Sequence, residues 1–213
     1  MKIETPSPKI VKEYLKRWNT LENYVAQESS LRKLFTKTYP LNNDLDEVLI
    51  KVCSLNDFYS TNIFSPFSVA KHIISLNIDD RLEKNDMSLV DDIARVNVNG
   101  IREIYFYSFA TKYCSHHKPL YYPIYDNYVE KLLMYFKKQN KSFKYTKKDL
   151  KTYPKYKEIL LTFQSYYNLQ EFNLKELDKY LWQCGKKHFS KKKNKNAEDR
   201  LTYKSDLGLR KIN

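Results

Sequence analysis

The sequence predicts an all-α protein, a bundle of about nine helices followed by a basic C-terminal tail. Three observations carry this expectation. Apolar residues recur at spacings of three and four along most of the 213 residues, the period of one face of a helix. Glycine occurs only three times, too rarely for the tight turns that sheets use. Helix-start residues stand ahead of the apolar runs again and again. The length suits one helical domain over residues 1–185, or two packed helical subdomains, with 186–213 as the tail.

Taken in order, Ser7-Pro8 reads as an N-cap followed by proline in the first turn. Ile10, Val11, Tyr14, Leu15, Trp18, Leu21, Tyr24 and Val25 then repeat at helical spacing. Ser30 is placed to cap a short helix over 31–39, stopped by Pro40. Asp44 opens a helix with Val48, Leu49, Val52, Leu55 and Phe58 on one face, and Ser65-Pro66 opens another through Val69, Ile73 and Leu76. Ser88 begins a shorter segment through Val96. Residues 97–101 read as a turn, with a short hairpin over 97–104 as the one strand expectation. Helices follow over 102–117 and 126–140, separated by Pro119 and Pro123, and then over 155–167. Asn173 caps the last helix and Gly185 is placed to stop it. The apolar spacing puts Trp18, Leu49, Val52, Ile73, Phe109, Leu132, Leu133, Leu161, Leu177 and Leu181 in the core.

The formal net charge is +13, and residues 186–213 hold 10 Lys and Arg against 3 Asp and Glu. Over half of the excess is therefore at the end of the chain. Such a stretch suits a polyanion, with Lys186, Lys187, Lys191, Lys192 and Lys193 as its leading contacts; the other reading is a solubilising tail. Nucleic acid is preferred to a membrane surface, because no neighbouring stretch offers an apolar insertion face and no run reaches the length of a span. The N-terminus has no apolar signal region. Cys53, Cys114 and Cys184 are widely spaced and form no zinc pattern. No glycine-rich phosphate loop is present. The expectation is a monomeric, cytoplasmic protein, nucleoid-associated if bacterial, without metal or cofactor.

The chemistry concentrates in residues 106–136, which read as helix, aromatic and proline-containing loop, helix, with Asp126 at the second helix start. An aspartate there is often only a cap that accepts a backbone N–H. The run Thr111-Lys-Tyr-Cys-Ser-His-His-Lys-Pro-Leu-Tyr-Tyr-Pro-Ile-Tyr-Asp126-Asn-Tyr-Val129 resembles the catalytic segment of the helix–hairpin–helix DNA glycosylases, nearest to their 8-oxoguanine and archaeal branches. In that family a short apolar approach, here Pro123-Ile-Tyr, leads to the aspartate that begins the next helix. The helix holding Leu55-Asn-Asp-Phe-Tyr-Ser-Thr-Asn62 is similar to the family helix that carries polar side chains toward the lesion strand. Bifunctional members carry a catalytic lysine roughly 18 residues before the aspartate; Ser108 stands there. The family's glycine-flanked hairpin would fall near Ile104-Tyr105-Phe106, where there is no glycine, Gly100 being the nearest. Lys112 lies one helical turn beyond Ser108 on a similar face, as a second catalytic candidate or as a phosphate contact.

The resemblance implies a DNA-binding N-glycosidase that flips a damaged or modified base out of double-stranded DNA and hydrolyses its glycosidic bond. Breaking that bond builds positive charge on the sugar, which a fixed carboxylate stabilises while it orients the attacking water. The resemblance gives that role to Asp126 and, without a lysine at position 108, implies an intact abasic strand as the product. Asn56, Tyr59, Ser108, Tyr121, Tyr122 and Tyr125 are the expected base pocket, although tyrosines at such spacing also serve as ordinary core. Asn62, Arg102, His117 and Lys118 join the tail lysines as expected nucleic-acid contacts. His116 and His117 are adjacent and point apart on a helix, so no metal is expected. Two alternatives stand beside this reading: a catalytically inactive nucleic-acid-binding protein on the same scaffold, and a helical protein-interaction module whose basic tail meets an acidic partner.

Overall fold

Most of the helix-start signals act as read. In the computed structural model, which describes residues 2–98, 100 and 102–190, Ser7 Oγ accepts the Ile10 N–H at 3.4 Å and α1 runs Pro8–Trp18. Asp44 Oδ1 accepts the N–H groups of Asp46 and Glu47 at the start of α3, Leu45–Tyr59. Asp126 caps α8, Asn127–Gln139, and Asn173 closes a reciprocal capping box with Glu176 on α10, Leu174–Phe189. Between them lie α2 (Glu22–Lys33), α4 (Pro66–Ser75), α5 (Asp79–Glu83), α6 (Leu89–Ala94), α7 (Tyr107–His117) and α9 (Tyr153–Tyr166). The described residues thus form ten α-helices and one antiparallel pair, β1 (Arg95–Val98) and β2 (Arg102–Tyr105), in the register Val96↔Ile104. The fold is all-α.

Several boundaries differ from the sequence reading. The long first run divides after Trp18, where Thr20 turns the chain by donating its N–H and hydroxyl to Arg17 O. Ser30 lies inside α2 rather than at a cap, and the helix widens into a π-helical turn, Leu34–Thr38, before ending at Tyr39. Residues 95–98 and 102–105 form the hairpin expected over 97–104, displaced by a residue or two at each end, and so 102–105 do not open α7; the pairing buries Val96 and half-buries Ile104. The short α5 begins at Asp79, whose carboxylate ties it to the loop before α3 by holding the Asn42 amide and backbone N–H at 2.6 and 2.9 Å. Gly185 does not end α10. It is buried within the helix against the Tyr128 carbonyl of α8, and the helix continues to Phe189.

Helix α10 packs against both α8 and α1, so the two ends of the described chain meet. On the other side α3 packs on α4 and α7, and α6 on α7. Val52, Ile73, Phe109, Leu132, Leu133, Leu177 and Leu181 are in the core as expected. Leu49 and Trp18 are only half-buried. Leu161 is 44% exposed, because α9 turns Tyr156, Ile159, Leu160 and Phe163 inward and leaves the next position outside. No helix among the described residues is long and apolar enough to cross a membrane.

Candidate functional site

Asp126 is held by a clamp built from the loop that precedes it. Each carbonyl of the approach is taken by a side chain: Tyr153 donates its hydroxyl to Pro123 O at 3.0 Å, Tyr156 to Ile124 O at 2.5 Å, and Ser108 to Tyr125 O at 3.1 Å. Thr111 Oγ1 accepts the Tyr125 N–H at 3.1 Å. An irregular stretch packed this deeply has to find partners for its backbone groups, and here they come from α7 and α9. The α8 start is thereby fixed in place. Asp126 Oδ1 accepts the Tyr128 N–H at 2.7 Å, so the capping role is real. It does not consume the side chain, which is half-buried and borders a cavity of about 340 Å³.

That cavity lies where α2, α3 and α7 face α8 and α10. Trp18, Tyr24, Tyr59 and Trp182 give it aromatic walls, and Lys112, Asp126, Lys175, Asp178, Lys179 and Lys186 give it charge. The volume falls within the range of small-ligand sites, roughly 300–1,000 Å³. Glu28 organises one wall, pairing with Lys179 at 2.8 Å and Lys175 at 3.6 Å and accepting the Trp18 indole N–H at 3.1 Å. Burial works to raise the Glu28 carboxyl, but the two lysines and the indole outweigh it and hold it low.

Lys112 comes into the same cavity from α7, with only 3% of its surface exposed. Its ammonium donates to Ser108 Oγ at 2.5 Å and to the carbonyls of Ser108 and Tyr125 at 3.3 Å, and it sits 5.2 Å from the Tyr59 ring centroid. Burial lowers its pKa against the opposing charges of Asp126 and Asp178. It forms no ion pair with Asp126 among the described residues.

Asp178 lies across the cavity on α10 and makes no hydrogen bond or ion pair with the described residues. Burial pushes its carboxyl up from the ordinary 3.8 to about 6; Lys175 works against this shift, and the Asp126 charge adds to it. A carboxyl raised on folding stabilises the fold fully below its unfolded pKa and loses that contribution as pH rises through the folded value. Asp178→Asn is therefore expected to raise stability at about pH 7 by on the order of 2 kcal/mol, with the gain gone at about pH 4. Urea denaturation at both pH values checks this, and equal stability of the two proteins at neutral pH would contradict it.

The expected site residues divide sharply. Asp126, Lys112, Tyr59 and Lys186 line the cavity. Asn56 does not, because its amide is spent on the loop after α3, bonding Thr61 Oγ1 and both polar backbone groups of Ile63. Ser108 holds Lys112 and Tyr125 rather than facing the cavity. Tyr122 is fully buried, with its hydroxyl on Asp86 O, and buried Tyr125 donates to Glu130. Half-buried Tyr121 packs on Tyr122 and under the Lys157 ammonium. All three rings are packing, not pocket wall. His117 is not a cation for phosphate: burial, with Lys51 and Lys118 nearby, lowers its pKa to about 3, and its ring bonds Asn42 Oδ1 at 3.2 Å. Lys118 pairs with Glu83 at 2.8 Å. Asn62 and Arg102 are exposed away from the cavity lining. Lys187 is exposed near Tyr14, whereas Lys186 bonds the Tyr24 hydroxyl at 2.5 Å. Lys191, Lys192 and Lys193 lie outside the described residues.

Sequence reasoning missed Tyr24, Glu28, Lys175, Asp178, Lys179 and Trp182 as cavity residues, and it assigned Trp18 to the core. A signal was present in α10. Lys175, Asp178, Lys179, Trp182 and Lys186 recur at helical spacing on a second face beside the leucine stripe.

The comparisons with known proteins follow the same chain. The family model HI_0787_N, described as an N-terminal domain, matches residues 10–121, from α1 through α7. That stretch contributes Trp18, Tyr59 and Lys112 to the cavity, while Asp126 and α10 lie beyond it. A Haemophilus influenzae protein described as uncharacterized is 50% identical over 151 residues, covering 70% of this chain and 72% of its own length. No solved structure matches the chain.

Proposed function

The chain belongs to the HI_0787_N N-terminal-domain family, and from the cavity that this region shares with α8 and α10 we propose that it is a DNA-binding N-glycosidase similar to the helix–hairpin–helix DNA glycosylases. One observation carries the reading: Asp126 caps α8 with one oxygen while its side chain borders a charged, aromatic-walled cavity. The aromatic walls suit the faces of a base taken out of the stack. The lysines around the rim, Lys175, Lys179 and Lys186, suit the strand that carries it. Asp178 offers an unpartnered carboxyl to the polar edge of a base. Asp126 then faces the sugar, where its charge stabilises the developing cation and directs water to C1′. The carbon–nitrogen bond breaks, and the released base takes up a proton.

A second reading has its own observation. Lys112 reaches the same cavity, and burial lowers its pKa, which favours the neutral amine needed for attack at C1′. That attack forms a carbon–nitrogen bond to the enzyme as the base leaves, and loss of the ring oxygen from C1′ gives a Schiff base. The experiment is incubation with duplex DNA carrying damaged or modified bases, with and without borohydride. The hydrolytic reading predicts abasic strands cut only by hot alkali, and no crosslink. The amine reading predicts a borohydride crosslink that Lys112→Ala abolishes and Ser108→Ala retains. Release of no base from any such DNA overturns both.

A further inference from the structure

The charge of this protein is not spread evenly. Residues 137–157 hold nine lysines and one aspartate, a larger excess than that of residues 186–213, while residues 1–136 and 158–185 hold 19 Lys and Arg against 21 Asp and Glu. The basic stretch joins the end of α8 to α9, and it is tied down. Phe143 is buried against Phe163 and Tyr167, and buried Tyr145 donates its hydroxyl to Leu133 O at 2.8 Å. The side chains of Asp149 and Thr146 accept each other's backbone N–H at 2.7 and 3.2 Å. Lys147 reaches back to Glu130, on the first turn of α8, at 2.7 Å. The connection therefore returns alongside α8, from its last turn toward Asp126.

The anchors are buried and the lysines between them are not. Lys141, Lys144 and Lys148 of the connection are exposed, as are Lys131 and Lys138 on the outer row of α8. None of these five ammonium groups has an ion pair among the described residues. Lys131 lies 5.8 Å from the ring centroid of Tyr128, which lines the cavity, so the row begins at the cavity mouth. From Asp126 to Lys138 the helix rises about 18 Å, the length of about five base-pair steps. Two features of the row select its partner. No large apolar side chain is exposed over residues 127–155, so nothing there inserts into a membrane. No arginine occurs over residues 127–157, so there is no planar fork to read base edges. Residues 79–103, which include the hairpin, hold seven Asp and Glu against four Lys and Arg and so have the opposite sign. Resting on the glycosidase reading above, we propose that Lys131, Lys138, Lys141, Lys144 and Lys148 form a phosphate track that holds the duplex backbone on one side of the nucleotide in the cavity, without reading its sequence. The duplex then leaves the cavity along α8 and not across the hairpin.

The test is equilibrium binding of the full chain to an unmodified duplex of about 20 base pairs, followed against salt. The combined variant Lys138→Gln, Lys141→Gln, Lys144→Gln, Lys148→Gln is expected to bind at least about tenfold more weakly near 0.1 M salt. Its slope of log affinity against log salt is expected to fall by about three, since each lost phosphate contact removes about 0.9. The same four positions changed to Arg are expected to keep both affinity and slope. A control, Lys9→Gln, Lys16→Gln, Lys37→Gln, Lys84→Gln, removes the same charge from exposed positions outside the cavity lining. It is expected to change affinity by less than about threefold. Equal losses in the two Gln variants reduce the track to net charge and overturn the proposal, as does an unchanged slope in the first. Phosphatidylserine vesicles that bind the native protein and not the first variant, with duplex binding unaltered, assign the row to a lipid surface and overturn it as well. The two readings fail separately. A slope that falls as expected without base release by the native protein removes the glycosidase and leaves the track. Base release with a slope indifferent to the four lysines does the reverse.

Discussion

If the proposed glycosidase reading holds, Asp126→Asn is expected to lower base release by at least about a hundredfold while leaving the fold and DNA binding in place. The substitution separates the two roles that one side chain plays. As a cap, Asp126 needs one acceptor oxygen for the Tyr128 N–H, now at 2.7 Å, and asparagine supplies one at similar worth. The clamp on residues 123–125 does not involve the side chain at all, since Tyr153, Tyr156 and Ser108 bond only carbonyls there. The start of α8 should therefore remain where it is. What disappears is the negative charge at the cavity wall, and with it the group proposed to stabilise a cationic sugar. Single-turnover release and equilibrium binding, measured on the same duplex, make the comparison. Release within a few-fold of the native rate, with binding intact, would make Asp126 only a cap and favour the non-catalytic binder.

Gly185→Ala is expected to destabilise the protein by about 3 kcal/mol. In an exposed helix interior the same change is stabilising by about 1 kcal/mol, because alanine is the better helix former. The sign reverses here because a Cβ at this position would lie 2.5 Å from the Tyr128 carbonyl oxygen and 2.8 Å from its carbon. Those are backbone atoms of α8, which cannot rotate away as a side chain would. Relief requires α8 and α10 to separate, and the strain falls two residues from Asp126, on the residue whose N–H it accepts. A lower denaturation midpoint should thus come with reduced base release. An unchanged or higher midpoint would show that the two helices are not in this close contact.

The resemblance on residues 111–129 pointed to Asp126 from the sequence, and the structure adds a reason for its rigidity that no local pattern announces. The tyrosines that clamp its approach sit on α9, about thirty residues downstream. Lys112 was legible as a candidate by its spacing from Ser108; that Ser108 supports the lysine instead of replacing it required the bond between them. Tyr121, Tyr122 and Tyr125 were proposed for the pocket because they are close to Asp126 in sequence. The chain turns two of them into the core, and the aromatic walls come from residues far apart, Trp18, Tyr24, Tyr59 and Trp182.

By itself the sequence determined the helical class, most of the caps and the inward stripes, because those depend on residues within one or two turns of each other. Asp44, Asp126 and Asn173 begin helices for local reasons that any window around them contains. Only the tertiary structure decided where helices gave way and which polar groups met. Residues 102–105, which the sequence left open to a hairpin or to the first turn of α7, became a strand because β1 was there to pair with them. Gly185 became a helix contact instead of a stop because the Tyr128 carbonyl lies where a side chain would be. Asp178 and Lys112, 66 positions apart in the chain, share one cavity because α10 crosses α8 at that glycine and so faces α7. A site assembled from α1, α2, α3, α7, α8 and α10 is a property of their packing, which fixes distances that sequence spacing leaves open.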